Sequence, residues 1–279
     1  MKISKNQDIV LPPILYKYRF FDQEDHHISV IEKQNLWFAS ARTFSDPYDS
    51  TILFDLSDNP VGITEKWAND FVKRNLPYKS RAERRTLVRE KLKEIKGSKE
   101  HTEWFNNYII KTNLNKFGIC SLTSKYENLL MWAHYADGHK GYCVGFDVEV
   151  IKNKMESLAG DESTLLDIKE IEYSPEISEI NFYESMLSDH TDNDILTLLT
   201  TKSKEWEYED EYRLMLWHHV NQHLILPKEM IKTIYLGCNI SDPNQERIVS
   251  ILDNQKMNIE VYKSKILKDK FRLDFNRIR

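Results

Sequence analysis

A chain of 279 residues is long enough for one large domain or two small ones. Its 41% hydrophobic and 11% aromatic content supplies a sizeable core, and its 30% charged content a well-solvated surface, which together exclude a disordered chain. The net charge of −5 excludes the overall basic footprint of a dedicated nucleic-acid binder, while leaving room for a local basic patch.

Cys120, Cys143 and Cys238 are scattered and make no CxxC pair, which fits neither a disulfide framework nor a zinc site and suits a reducing compartment. The opening residues MKISKNQDIVLPP are polar, and no run approaches the roughly 18 apolar residues that cross a bilayer. The expectation is a cytoplasmic protein with no membrane partner.

Taken along the chain, Leu15–Phe20 suits a short strand after Pro12-Pro13, Ile28–Lys33 has helical spacing, and Leu36–Ser40 reads as an aromatic-rich strand. Ser45-Asp46-Pro47 signals a turn or helix start. From about Glu65 to Leu114 the pattern is helical and charged, with Gly97-Ser98 as a break. The stretch Lys73–Lys99 is rich in Lys and Arg, but its interspersed Glu83, Glu90 and Glu94 suit a solvated helical face. Phe117–Thr123, Gly141–Phe146 and Glu170–Tyr173 read as strands, with a short helix or tight turn at Asn128–Tyr135. A helical segment at Asp192–Lys204 leads into the strand candidate Glu211–Trp217. Then come a strand at Ile231–Leu236, a helix from Asp242-Pro243 through Leu252, and a late strand at Ile259–Ser264. Strands at both ends with helices between them predict one α+β domain over 1–279, with a mixed, largely antiparallel sheet and a helical insertion at about 65–115.

Four segments concentrate chemistry: Tyr16–Arg19, Phe44–Asp49, Trp132–Gly141 and Trp206–Arg213. On a strand, Lys17 and Arg19 share one face and Tyr16, Tyr18 and Phe20 the other, an arrangement that suits an edge strand or a grip on phosphate or carboxylate. Asp46 and Asp49 read first as a capped turn, and no His partner stands at a recognised metal spacing. Trp132, His134, Tyr135 and His139 with two glycines suggest a pocket wall. The two histidines are five apart, so they do not align on one helix face, and no metal is expected. In KSKEWEYEDEYRLML an extended strand would put Glu207, Glu209 and Glu211 on one face, at the mouth of an apolar stretch.

Together LYKYRFF, LWFASARTFSDPYDS, NLLMWAHYADGHKGYCVGFD, KSKEWEYEDEYRL, IKTIYLGCNIS and VYKS resemble the bacterial domain-of-unknown-function 2971 family, with Ser45 where Asn is usual and Asp49 where Glu is usual. A second likeness, to ADP-ribosyltransferases, rests on a basic residue in a Tyr-bearing first strand, a Ser on an aromatic second strand and a late E-x-E strand. That likeness implies an ADP-ribosyltransferase-like fold. It also implies that Arg19 grips a dinucleotide, that Ser40 supports the nicotinamide pocket, that Glu211 holds the ribose and that Glu209 orients an acceptor. Cleaving NAD builds positive charge on the ribose, which a carboxylate stabilises most in the transition state.

The sequence reading is thus an NAD-using ADP-ribosyltransferase-like or NAD-glycohydrolase enzyme of a bacterial toxin or phage-defence system. Its catalytic candidates are Glu211, Glu209 and His134, and its cofactor-binding candidates are Arg19, Tyr18, Lys17, Ser40, Trp37 and Tyr135. NAD would be the co-substrate, and a protein or nucleic acid the acceptor. Two alternatives stay open. One is a nuclease or phosphodiesterase using Asp46, Asp49, His134 and Glu211. The other is a non-catalytic module that senses a nucleotide or a protein.

Overall fold

A computed structural model describes residues 11–58, 60–95, 116–158, 166–187 and 191–279. In chain order the elements are β1 (Ile14–Arg19), α1 (Ser29–Glu32), β2 (Asn35–Ser40), β3 (Leu53–Asp55), α2 (Ile63–Asn75), α3 (Arg81–Ile95), β4 (Phe117–Thr123), α4 (Leu129–Tyr135), β5 (Tyr142–Asp147), α5 (Val148–Leu158), β6 (Leu166–Glu170) and β7 (Glu172–Ser174). They continue with β8 (Glu179–Asn181), α6 (Phe182–Leu187), α7 (Thr191–Thr200), β9 (Thr201–Ser203), β10 (Glu211–Trp217), β11 (Gln222–Ile225), β12 (Ile231–Leu236), α8 (Asp242–Asn254), β13 (Glu260–Ile266) and β14 (Leu273–Arg277). The fold is mixed α+β with a largely antiparallel open sheet.

Two compact units divide these elements. The larger holds a ten-stranded sheet of order β11-β2-β4-β1-β5-β12-β13-β14, with β10 on β4 and β6 on β10. Its one parallel pair among the described residues, β12 with β13, is joined through α8, as a parallel pair requires a crossover. Both central strands, FGICSLT and YCVGFD, are nearly continuous apolar runs because side chains from each of their faces are buried. On one face Leu15, Phe38, Cys120, Val144, Phe146 and Leu214 pack beneath residues of α1, α5 and α8, such as Ile31, Ile151 and Leu252. On the other, Tyr16, Tyr18 and Cys143 pack against Met131 and Trp132 of α4.

Helix α4 is short, and its ends are fixed by specific bonds. Asn128 caps it by accepting from the N–H of Leu130 (2.9 Å) and Met131 (3.2 Å), while its own amide donates to the Tyr208 carbonyl at 2.6 Å. After α4 the chain turns through Asp137, Gly138 and His139, all left-handed (φ 46, 59 and 68°). Just before β5 it passes Gly141, where an added Cβ would lie 2.0 Å from the Arg19 carbonyl oxygen. The glycine is therefore demanded by the close approach of β1 and not by an unusual backbone angle.

The smaller unit gathers the described parts of 44–115 with 172–203. Helices α2 and α3 bury Ala68, Val72 and Val88 against one another, and Trp67 stacks on Phe71 and meets the rings of Phe182 and Tyr183. This is the helical part expected at about 65–115. The part of that expectation at 96–115, including Gly97-Ser98, lies outside the described residues. The basic stretch carries ion pairs Arg74–Asp70, Lys79–Glu83 and Lys91–Glu94 on exposed helix faces, each of little worth to stability. Ser45-Asp46-Pro47 forms a turn and starts no helix: the Asp46 carboxylate accepts from the Tyr48 N–H at 2.9 Å.

Gly141→Ala tests the account of the β1–β5 approach. We expect a loss of about 3 kcal/mol in urea unfolding, because the methyl meets rigid backbone. A loss under about 1 kcal/mol would show that the strands can part.

Candidate functional site

The register of three strands decides which of the predicted residues meet. Thr123 of β4 lies opposite Tyr16 of β1 on one edge and opposite Glu211 of β10 on the other. Residues paired across strands point to the same face, so Glu211 and Arg213 share a face with Tyr16 and Tyr18. Lys17 and Arg19 project from the opposite face, with Leu15. Arg19 and Glu211, the pair that the ADP-ribosyltransferase likeness would set around one dinucleotide, therefore leave the sheet on opposite faces.

On the acidic face the E-x-E motif is not an extended strand. Lys204–Glu209 forms a 3₁₀ helix, Asp210 is left-handed (φ 47°), and the strand begins only at Glu211. The conformation is held from the residue just after β4, where the Ser124 hydroxyl donates to the Asp210 carboxylate and the Ser124 N–H donates to the Asp210 carbonyl at 3.2 Å. Glu207, Glu209 and Glu211 thus do not line one strand face. Glu209 is buried and accepts from the Tyr135 hydroxyl. Burial, with the Glu209 charge, raises the Tyr135 phenol well above its ordinary range, so it acts here only as a donor. Glu211 is buried and held by the fully buried Arg213, through Nε at 2.8 Å and a second guanidinium nitrogen at 3.3 Å. His134 is exposed, its ring 6.2 Å from that of Tyr208.

The aromatic candidates separate in the same way. Tyr18 is a strut, buried edge-on against Trp132 (5.1 Å) with its hydroxyl donating to the Lys125 carbonyl. Like Tyr135, it lies on the Trp132 side of the sheet. Trp37 is half-exposed on β2 with His223 of β11 against it at 4.8 Å. Ser40 is buried, its hydroxyl accepting from the Arg42 N–H at 3.3 Å and its own N–H donating to Asn221. It braces the turn after β2.

The basic face is different in kind. One edge of β4 is taken along its whole length by β10, while the other is shared, with β2 at Gly118–Ile119 and β1 at Thr123. Strands β1 and β2 therefore diverge from this shared edge, and Arg19 ends β1 on the diverging side. Its guanidinium Nε is sealed from solvent without a hydrogen-bond partner among the described residues. Beside it on β5, the hydroxyl of fully buried Tyr142 is also without a partner among the described residues. Burial pulls the Arg19 pKa down, opposed by Cys120, Tyr142 and Asp22. Asp22 is already engaged, since its two oxygens accept the N–H groups of His26 and His27 at 2.9 Å each. Lys17, two residues back on the same face, donates to the Ser121 carbonyl, and burial pulls its ammonium from 10.5 down to about 8. Arg19 also helps to keep two histidines neutral. Burial first, and then its charge, holds His27 below the ordinary imidazole range, and burial with His26, Lys33 and Arg19 does the same for His223.

Sequence reasoning missed Tyr142, His27 and His223. The period of two that placed Lys17 with Arg19 would also have put Tyr142, Val144 and Phe146 on one face of β5. No local pattern tells which face of a neighbouring strand that is. Among the described residues no group of three or more His, Cys, Asp or Glu is placed to hold a metal ion. Asp46 and Asp49 belong to the smaller unit, where Asp49 pairs with Lys202 at 3.8 Å, while His134 and Glu211 belong to the larger. Among the described residues no helix is long and apolar enough to cross a membrane.

What the fold and site define is a mixed α+β protein whose larger unit carries paired acidic side chains on one sheet face and, on the other, an Arg19 nitrogen sealed without a partner among the described residues. Residues 131–214, from α4 into β10, match the family model described as protein of unknown function (DUF2971). This stretch contains the Trp132–Gly141 and Trp206–Arg213 segments. Comparison with curated proteins and with solved structures finds no match.

Lys17 gives a pH test of the basic face. Its folded pKa of about 8 lies below the ordinary 10.5, so the folded state carries the full cost of the buried charge below pH 8. That cost is relieved as pH rises through 8, because the unfolded chain then binds more protons than the folded one. Lys17→Met should raise the urea midpoint at pH 7 and leave it nearly unchanged above pH 10. Equal shifts at both pH values would remove the claim of a buried charge.

Proposed function

We propose that the protein binds a phosphate-bearing ligand of nucleotide or dinucleotide type at the Lys17–Arg19 face of the larger unit. One observation carries this reading: the Arg19 guanidinium, its Nε sealed from water, has no partner for that nitrogen among the described residues. A buried donor left unpaired costs on the order of 1–3 kcal/mol, and more when charged. Such a cost is recovered when an oxyanion takes the position, and guanidinium matches phosphate in geometry as well as charge. Lys17 adds a second positive charge on the same face, and Tyr142 of the neighbouring strand adds a buried hydroxyl.

Binding without turnover is the form of this reading that the geometry favours. In the ADP-ribosyl-transfer alternative Glu211 would need to approach a ribose held by Arg19, and the two side chains leave the sheet on opposite faces. NAD remains a candidate ligand, and the expected role is that of a sensor within a larger response such as defence.

Calorimetric titration with NAD, ADP-ribose, AMP and orthophosphate tests the proposal. At least one should bind saturably. Arg19→Gln should weaken it about tenfold or more, while Glu211→Gln should leave the affinity of the folded protein within about threefold. Affinity should fall as pH rises above about 8, because a bound anion favours charged Lys17. Absence of binding by all four removes the reading. NAD consumption that is lost in Glu211→Gln would replace it with the transferase.

A further inference from the structure

The DGHKG stretch takes no part in the Lys17–Arg19 face, yet its His139 forms, with Cys238 and Asn239, one wall of a cavity of about 420 Å³ elsewhere in the larger unit. That wall is fixed by backbone. Gly237 N–H donates to the Gly141 carbonyl (2.9 Å), Asn239 N–H to the His139 carbonyl (3.0 Å), and the Asn239 amide to the Gly138 carbonyl (3.1 Å). A Cβ on Gly237 would lie 2.0 Å from the His139 carbonyl oxygen, so the two loops are locked in contact. His139 lines the cavity with its Nδ1 sealed from water and unpartnered among the described residues, its ring nearly parallel to that of Trp132. Leu129 and the buried Leu273 supply apolar lining.

The opposite wall is the tip of the β13–β14 hairpin, closed by Leu267 N–H donating to the Arg272 carbonyl at 3.2 Å. It presents Lys268, Lys270 and Arg272 to the cavity, with Asp269 as the single acid in the lining. None of the three cationic side chains has an ion pair or hydrogen bond among the described residues. Between them Phe271 is fully exposed, and Ile266 at the base of the tip is 62% exposed. Like charges gathered around an apolar floor repel one another and waste apolar area on water, unless an anion with an apolar body sits there. The volume falls within the range of small-molecule sites, about 300–1,000 Å³.

We propose that this cavity binds a small organic anion with a flat apolar body, an aryl carboxylate, sulfonate or phosphate. Its charge is held by Lys268, Lys270 and Arg272, and its body lies against Leu129, Leu273 and Phe271. An anionic lipid surface would use the same cations and Phe271, but it would leave the cavity without a role.

The test is a fluorescence titration of the full chain with 8-anilinonaphthalene-1-sulfonate. One saturable site is expected. Lys268→Glu with Lys270→Glu, at exposed positions, should weaken it about tenfold with an unchanged melting temperature. Phe271→Ala should weaken it severalfold, and Arg19→Gln should leave it unchanged, so that this site and the Lys17–Arg19 site fail separately. Absence of saturable binding, or equal affinity in the doubly substituted chain, overturns the proposal. So does sedimentation with phosphatidylglycerol vesicles in a chain that does not bind the dye, which would assign the hairpin to a lipid surface.

Discussion

The pairing of β4 governs the larger unit. This strand is shared by β10 along one edge and by β2 and β1 along the other, so its register sets the face from which every neighbouring side chain emerges. A slip of one residue against β1 would turn Tyr16 and Tyr18 away from Trp132 and bring Lys17 and Arg19 to the acidic side. Large apolar groups resist that slip from both faces: Leu15 is wholly buried on one, and Tyr16 and Tyr18 are buried on the other. The close contact at Gly141 pins the same strand from β5. The separation of charges between the two faces is thus a consequence of apolar packing, which is strong enough to leave a guanidinium under-satisfied.

The two faces treat their charges in opposite ways. On the acidic side Arg213 is fully buried, yet it grips Glu211 twice, and Glu209 receives the Tyr135 hydroxyl. Burying such groups is tolerable because each has partners, and removing one would strand the other. On the basic side a sealed Arg19 nitrogen and the Tyr142 hydroxyl face no protein acceptor among the described residues. A structural role explains the first arrangement without a ligand, whereas the second has no structural account.

Much of the framework was legible in the sequence because it rests on local signals. The apolar runs of β4, β5 and β10 and the Asp242-Pro243 helix start follow from spacing and end chemistry. The face shared by Lys17 and Arg19 follows from the period of two. The short strands β3, β8, β9, β11 and β14 carry too few residues for a period to show, and α5 directly follows a strand with no breaking glycine or proline. The E-x-E segment was misread for a physical reason: Asp210 adopts a left-handed angle that aspartate tolerates but does not announce. That one residue moves Glu209 off the strand and removes the common acidic face.

The larger miss concerns distance in sequence. That Arg19 and Glu211 lie on opposite faces depends on β1 and β10 meeting opposite edges of β4, across pairings more than eighty residues apart. No spacing within either segment encodes this. A motif of correct residues in the correct order can therefore match an enzyme's pattern while its charges never converge. What then separates a site from a scaffold is whether each buried polar atom already has a partner. By that criterion Glu211, gripped twice by Arg213, has a structural account, and the Arg19 nitrogen keeps its place in the proposed site.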